Sequence, residues 1–173
     1  SSLHPQTILD LGCSVGMSTF ALQKIYPQAK VTGLDLSPYH LSVAQYQTRK
    51  RQAKINWIHA NATSTHLRDQ SFDLVSSFLM FHEIPQITAK EILKEARRIL
   101  RRGGYFAMMD MNPKSEAYSK MPPYIFTLLK STEPLLDQYF TLDLTSALLE
   151  AGFTSPQITI ISPRHRAIIA QVA

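Results

Sequence analysis

The sequence predicts an α/β fold: a mostly parallel sheet covered by helices on both faces, with one antiparallel strand at its end. Three observations carry this. Along the first two-thirds of the chain, short apolar segments alternate with segments of helical length and spacing, and strands joined by such crossovers lie parallel in right-handed βαβ units. A glycine loop, Gly12 to Gly16, stands between the first strand and the first helix. Near the C-terminus two short strands are joined only by Ser162 to Arg166, too short a link for a parallel crossover.

The elements follow in order. Thr7 to Leu11 is an apolar strand that runs into the glycine loop. Met17 to Ile25 carries Phe20, Ala21, Lys24 and Ile25 at helical spacing, and Pro27 ends it. Lys30 to Leu34 is a second strand, closing at Asp35. Ser37-Pro38 reads as an N-cap with proline at the first helical position, opening a helix to about Gln52 that buries Leu41, Ala44 and Val43. Ile55 to His59 and Phe72 to Phe78 are strands three and four. Thr88 and Glu91 read as the capping box of the next helix, which Gly103-Gly104 stops before a fifth strand, Tyr105 to Met109. Asn112 to Phe140 reads as irregular, with four prolines. Leu144, Ala147 and Leu148 mark a helix closing at Gly152, and Gln157–Ile161 with Ala167–Gln171 form the terminal antiparallel pair. The expected sheet has six parallel strands and one antiparallel strand.

Composition bounds the function. A chain of 173 residues, 45% hydrophobic and 18% charged, fits one α/β domain with a packed core. Lys and Arg number 18 against 13 Asp and Glu, a net charge of +5. The basic clusters (Arg49-Lys50-Arg51, Arg97-Arg98, Arg101-Arg102) are short, unlike the dense stripe of a nucleic-acid binder. No apolar run reaches the roughly 20 residues of a membrane span, and no signal-peptide pattern is present. Cys13 is the only cysteine, so no intrachain disulfide forms, which fits a reducing, cytoplasmic setting.

The loop Asp10-Leu-Gly-Cys-Ser-Val-Gly16 lies where open α/β sheets bind ligands, at a strand carboxyl end and a helix N-terminus. Three chemistries compete for it. A dinucleotide site needs Gly-x-Gly-x-x-Gly, but Ser14 and Met17 replace the second and third glycines. A serine hydrolase would use Ser14 in Gly12-Cys13-Ser14-Val15-Gly16, a Gly-x-Ser-x-Gly elbow, with Asp143 and His165 following in order. That fold, however, places several strands and an oxyanion loop ahead of its serine. The third is a nucleoside cofactor without phosphate. Asp35, at the end of strand two, can accept from both ribose hydroxyls. Asp10 suits an ammonium group and repels a pyrophosphate, and the free N–H groups opening the helix suit a carboxylate. Ammonium, carboxylate and ribose together describe S-adenosylmethionine.

Ile8-Leu-Asp-Leu-Gly-Cys-Ser-Val-Gly16 strongly resembles the first motif of the class I S-adenosylmethionine-dependent methyltransferases. Val31 to Pro38 is similar to their ribose-binding motif, Phe72 to Phe78 to their fourth strand, and Ile99 to Phe106 to their turn into strand five. The nearest likeness is to the ubiquinone/menaquinone-biosynthesis-like group acting on small molecules. The resemblance implies a Rossmann-like sheet of order 3-2-1-4-5-7-6 with strand seven antiparallel. It also implies roles: Gly12, Cys13, Ser14 and Gly16 shape the loop around the methionine part of the cofactor, and Asp10 holds its ammonium. Asp35 binds the ribose, Leu36 presses on the adenine, and Asn61-Ala62 hold the adenine edge. Phe78 lines the methyl-transfer face. Ser14 stands where the family has its middle glycine, and Asn61 where aspartate is common; the Asn61 carbonyl oxygen can accept from the adenine amino group. Residues 1–173 read as a single methyltransferase domain lacking the N-terminal cap helices that family members carry.

His82, after strand four, is the first candidate for a general base, and Asp110, leaving strand five on the same edge, for orienting a substrate. His4, His40, His59 and His66 show no paired spacing for a metal, and none is expected. Residues 112–140 are the candidate substrate lid; Tyr118, Tyr124, Phe126, Tyr139 and Phe140 there favour an apolar or aromatic small acceptor, methylated on oxygen or carbon. Met121-Pro-Pro-Tyr124 resembles a motif of methyltransferases acting on nucleic-acid bases, but it follows strand five rather than strand four, which argues against a nucleic-acid substrate. The alternative outside enzymology is a methyltransferase-like structural module that binds cofactor weakly.

Overall fold

The structure, a computed structural model, describes residues 3–173. Its strands are β1 (Thr7–Leu11), β2 (Lys30–Asp35), β3 (Ile55–His59), β4 (Phe72–Phe78), β5 (Leu100–Met111), β6 (Gln157–Ile160) and β7 (His165–Gln171). They form one sheet in the order β3-β2-β1-β4-β5-β7-β6. Strands β1 to β5 pair parallel, and β7 runs antiparallel to both β5 and β6, the topology the resemblance implies. The helices are α1 (Met17–Ile25), α2 (Pro38–Arg51), α3 (Gln86–Ile99), α4 (Glu116–Ser119), α5 (Pro123–Thr132), α6 (Leu136–Thr141) and α7 (Leu144–Ala151).

Two-residue alternation sorts the central strands onto two cores. Leu9, Leu11 and Val75 face the side covered by α3 and α7, where Ile92, Leu93, Ala96 and Leu148 meet them. Ile8, Val31 and Leu74 face the other side, against Leu22 of α1. Ile8, Leu9 and Leu11 are wholly buried, and each such side chain contributes roughly 1.5–3 kcal/mol relative to exposure. Asp10 shares the parity of Ile8, so the same alternation turns its carboxylate toward α1.

The caps of α2 and α7 stand as read. Ser37 Oγ accepts from the His40 N–H at 3.2 Å with Pro38 following, and Gly152 closes α7 at a φ of 95°. Four expectations are corrected. Helix α3 starts at Gln86 after Pro85, so Thr88 and Glu91 lie inside it and form no capping box. The orphan N–H of Gln86 is met instead by Gln138 Oε1 of α6, at 3.3 Å. Gly103-Gly104 does not end α3, which stops at Ile99; the pair sits inside β5 as an irregularity, with Phe72 opposite Leu100 and Leu74 opposite Tyr105. Residues 112–140 are mostly helical rather than irregular, because Pro123 opens a helix as readily as it breaks one. His165 and Arg166 begin β7 rather than belonging to the link between the last two strands, and the His165 ring bonds Ser162 Oγ at 2.8 Å.

Candidate active site

The loop after β1 is bent by three positive φ angles: 66° at Gly12, 50° at Ser14 and 89° at Gly16. It is pinned on both sides. Cys13 N–H donates to the Leu34 carbonyl at 3.1 Å, and Gly16 N–H to the Cys13 carbonyl at 2.8 Å. Gly16 admits no side chain: an added Cβ would lie 2.4 Å from Trp57 Cη2. Trp57, from β3, is itself fixed by an N–H bond to Thr48 Oγ1 at 2.9 Å and an edge contact with Phe20. Ser14 explains the departure from the family loop: it adopts the left-handed conformation that glycine adopts freely.

Asp35 closes the loop from β2. Its Oδ2 accepts from the Ser14 N–H at 2.7 Å and its Oδ1 from the Ser37 N–H at 2.8 Å. An ionised carboxylate offers about four acceptor positions, so Asp35 keeps capacity for further donors in the cavity that it lines. That cavity, about 830 Å³, runs along the carboxyl ends of the strands. Gly12 and Ser14, Asp35 and Leu36, Asn61 and Ala62, and Phe78 all line it. Leu36 is exposed there, its carbonyl held by His59 Nε2–H at 2.9 Å. Asn61 lines the cavity, but its Oδ1 already accepts from Thr63 N–H and Thr63 Oγ1–H, each at 3.0 Å. The oxygen aimed at an adenine in the sequence reading is thus turned into its own loop.

Asp10, Cys13 and Gly16 stand behind the cavity rather than on its wall. Asp10 is 1% exposed. Its Oδ2 accepts from Ser18 Oγ at 2.6 Å and Thr19 Oγ1 at 2.7 Å, and its Oδ1 from Ser76 Oγ at 3.0 Å. Burial pushes this carboxyl above its ordinary value; the three hydroxyls oppose that, and the Asp35 charge adds to it. Burial likewise pushes the Cys13 thiol up, so it is no ready nucleophile. The hydrolase reading is not assembled: Asp143 caps α7 through Ser146 and His165 bonds Ser162, so neither serves Ser14.

At the other end, His82 and Asp110 meet. His82 lies in a 3₁₀ turn, Phe81–Glu83, separated from β4 by two residues, and Met80 and Glu83 beside it line the cavity. His82 Nδ1–H donates to Asp110 Oδ1 at 2.7 Å, and Asp110 Oδ2 accepts from Phe81 N–H at 2.9 Å. Both side chains are buried. Burial works against the imidazolium, but the Asp110 bond and charge, with Glu133 and Glu83, outweigh it and hold the His82 pKa above its ordinary value.

Sequence reading missed three parts of this arrangement. Ser18 and Thr19, in the first turns of α1, have a local signal: hydroxyls one helix turn beyond a loop that follows an acid. Ser76 is found only once β1 and β4 are paired. Glu133, whose Oε2 lies 3.8 Å from His82 Nε2, comes from 51 residues downstream and has no local signal at all.

The residues at the cavity fit S-adenosylmethionine: a carboxylate with spare acceptor positions at a strand end, a glycine-bent loop opening a helix, and a buried aspartate beneath it. Comparison with known proteins agrees. Residues 8–104 match the methyltransferase domain family. An uncharacterized methyltransferase from Synechocystis is 32% identical over 86% of this chain and 67% of its own length. A demethylmenaquinone methyltransferase from Thermotoga maritima is 27% identical over 82% of this chain, which spans 58% of it. Among solved structures, phosphoethanolamine N-methyltransferase 2 from Haemonchus contortus, in complex with S-adenosyl-L-methionine, superposes with a TM-score of 0.80 at 15% identity, covering 99% of this chain and 50% of that one. The chain therefore spans about half to two-thirds of these proteins. It belongs to the class I S-adenosylmethionine-dependent methyltransferases, and S-adenosylmethionine is its cofactor.

Proposed function

We propose that the chain carries methyl transfer to a small apolar or aromatic acceptor, on oxygen or carbon. The observation that carries this reading is the cavity with two chemically different ends: Asp35 and the glycine loop at one, the buried His82–Asp110 pair beside the other. When bound, S-adenosylmethionine supplies an electrophilic sulfonium methyl that an in-line nucleophile can take. The protein's own task is then to align two molecules and exclude water.

Asp35 accepts the ribose hydroxyls with its remaining lone pairs. Leu36 and Ala62 cover the adenine, and Asn61, its carbonyl engaged, offers its amide N–H groups to a ring nitrogen. Gly12, Cys13, Ser14 and Gly16 set the loop that receives the methionine carboxylate and ammonium. Asp10, one layer beneath, provides negative charge for the ammonium without touching it. Phe78 and Met80, which line the cavity, would form the wall beside the methyl group. Asp110 holds the Nδ1–H of His82, so in the neutral ring the Nε2 lone pair faces the acceptor side and can receive its proton. Residues 112–140 form the lid: Tyr139 packs against His82 with ring centres 6.3 Å apart, and Tyr118, Phe126 and Phe140 continue the aromatic cluster.

Calorimetric titration with S-adenosylhomocysteine tests the reading. Saturable one-site binding is expected, weakened by roughly 1.5–3 kcal/mol, about 10- to 150-fold, in Asp35→Ala. Absence of binding by the intact chain would favour the structural-module alternative.

A further inference from the structure

We propose that His82, Glu83 and Glu133 form a binding site for one divalent transition-metal ion at the acceptor end of the cavity. Sequence spacing gave no sign of it, because the third ligand comes from the lid. One nitrogen and one oxygen from each carboxylate lie within 4.8 Å of one another. Glu83 Oε1 and Glu133 Oε2 each stand 3.8 Å from His82 Nε2. That is too far for a hydrogen bond. It is close to the roughly 3–3.5 Å between ligand atoms that share an ion at about 2.0–2.2 Å, and a small side-chain movement closes the gap. Glu83 is free to make it, its side chain being 64% exposed.

Two independent features point to an ion rather than to a chance gathering of acids. The His82 side chain is 6% exposed, and its Nε2, aimed at both carboxylates, has no hydrogen-bond partner among the described residues. Its other nitrogen is held by Asp110, which is held in turn by the Phe81 and Met111 backbone N–H groups. This carboxylate–histidine arrangement is the one that orients metal-ligating imidazoles and makes them more basic. The second feature is charge. The chain carries +5 overall, yet neither Glu83 nor Glu133 pairs with a lysine or arginine among the described residues; each faces only His82. Asp110 is taken up by His82 and two backbone N–H groups, so Glu83 and Glu133 are the carboxylates left facing His82 Nε2.

One imidazole and two carboxylates suit Mn²⁺ or Zn²⁺ better than the all-oxygen preference of Ca²⁺ or Mg²⁺. Three protein ligands, of which Glu83 also lines the cavity, leave positions open for an acceptor oxygen that the ion would polarise. Glu133 ends α5, so an ion here also ties the lid to the cavity wall. The Nε2 lone pair serves the ion or a proton, not both. Ion binding is read on the protein alone, so it stands or falls separately from the methyl-transfer reading.

Titration of chelator-treated protein with Mn²⁺, followed by electron paramagnetic resonance, and with Zn²⁺ by calorimetry, tests the site. One ion per chain is expected, with affinity falling at least 10-fold in Glu133→Gln and in Glu83→Gln, and unchanged in Glu150→Gln, a surface carboxylate on α7 paired with Lys90. Both test residues are partly or well exposed, and matching thermal melts establish that the variants fold. No saturable uptake, or uptake that Glu133→Gln and Glu83→Gln leave unchanged, overturns the proposal.

Discussion

The two ends of the cavity are built in opposite ways. The cofactor end is fixed by backbone: Ser14 and Ser37 N–H groups on Asp35, Cys13 N–H on Leu34, and a tryptophan ring filling the space beside Gly16. The proposed acceptor end is a few buried side chains beside a helical segment, the proposed flap, whose longest helix, α5, buries none of its residues. Leu136 and Tyr139 of α6 anchor that flap, with Tyr139 Oη–H donating to the Met111 carbonyl at 2.9 Å. Backbone contacts recur whatever the side chains; a flap held by a few side-chain contacts can change its lining without unfolding the sheet. The contrast teaches where this chain keeps what is common to its family and where it is free to differ.

The sharpest test of the rigid end is Gly16→Val. The substitution imposes a β-branched residue on a φ of 89° and drives its Cβ into Trp57. Left-handed strain of about 1–2 kcal/mol and overpacking of about 1–3 kcal/mol give an expected loss of roughly 2–5 kcal/mol, read by urea unfolding. A loss under about 1 kcal/mol would mean that the loop is as yielding as the flap. Next in size is Glu95, which ties the segment after β3 to α3: its Oε1 accepts from Thr65 N–H at 2.8 Å and Thr65 Oγ1 at 2.6 Å. Arg98 beside it, followed by the Thr65 bonds, outweighs desolvation and lowers its pKa from 4.5 to about 2. A carboxylate depressed in the folded state stabilises above its unfolded value and loses that contribution as pH falls. The window is therefore about pH 4.5 down to 2. Glu95→Gln should cost about 1–3 kcal/mol at neutral pH and flatten the acid limb of the stability profile in that window.

The same division governs what could be read from the sequence. Strand β1, its loop and α1 are contiguous, and their signals are local: apolar parity, glycines at bends, hydroxyls at a helix start. Ser37-Pro38 and Gly152 were legible for that reason. The start of α3 was not, because its cap is Gln138, 52 residues away, and Thr88 with Glu91 offered a local pattern that tertiary contact overrode. The early start of β5 was hidden by Arg101 and Arg102, which are exposed on a strand that stays paired because Gly103 and Gly104 absorb the misfit. His82 and Asp110 could be named separately from their positions after β4 and β5. That they touch follows from the β4–β5 ladder, and Glu133 follows only from the fold of the flap.

Ser14→Gly probes the loop in the opposite direction. The serine occupies a φ of 50°, and its backbone N–H, not its hydroxyl, is the group that Asp35 uses. Glycine keeps that N–H and relieves the left-handed strain. Stability should rise by up to about 1 kcal/mol, once the greater unfolded-state freedom of glycine is deducted, with cofactor affinity held within about twofold. A fall in affinity of tenfold or more would show that the Ser14 hydroxyl, rather than the backbone alone, meets the ligand.

The smallest expected change in stability comes from the flap, and it is the most informative about its role. Tyr124 and Leu128 lie on α5 at i and i+4, 73% and 65% exposed. Exposed apolar side chains contribute little to folding, so Tyr124→Ser and Leu128→Ser should each shift stability by no more than about 0.5 kcal/mol. If α5 covers the acceptor, the same substitutions raise the KM for an apolar acceptor several-fold while leaving S-adenosylhomocysteine affinity unchanged. The cofactor end is pinned by contacts that neither residue touches, so the two effects separate cleanly. Equal weakening of cofactor and acceptor would join the two ends into one mechanical unit. A change in neither would move the acceptor's contacts off α5 and onto Tyr118, Tyr139 and Phe140, the aromatic side chains beneath it.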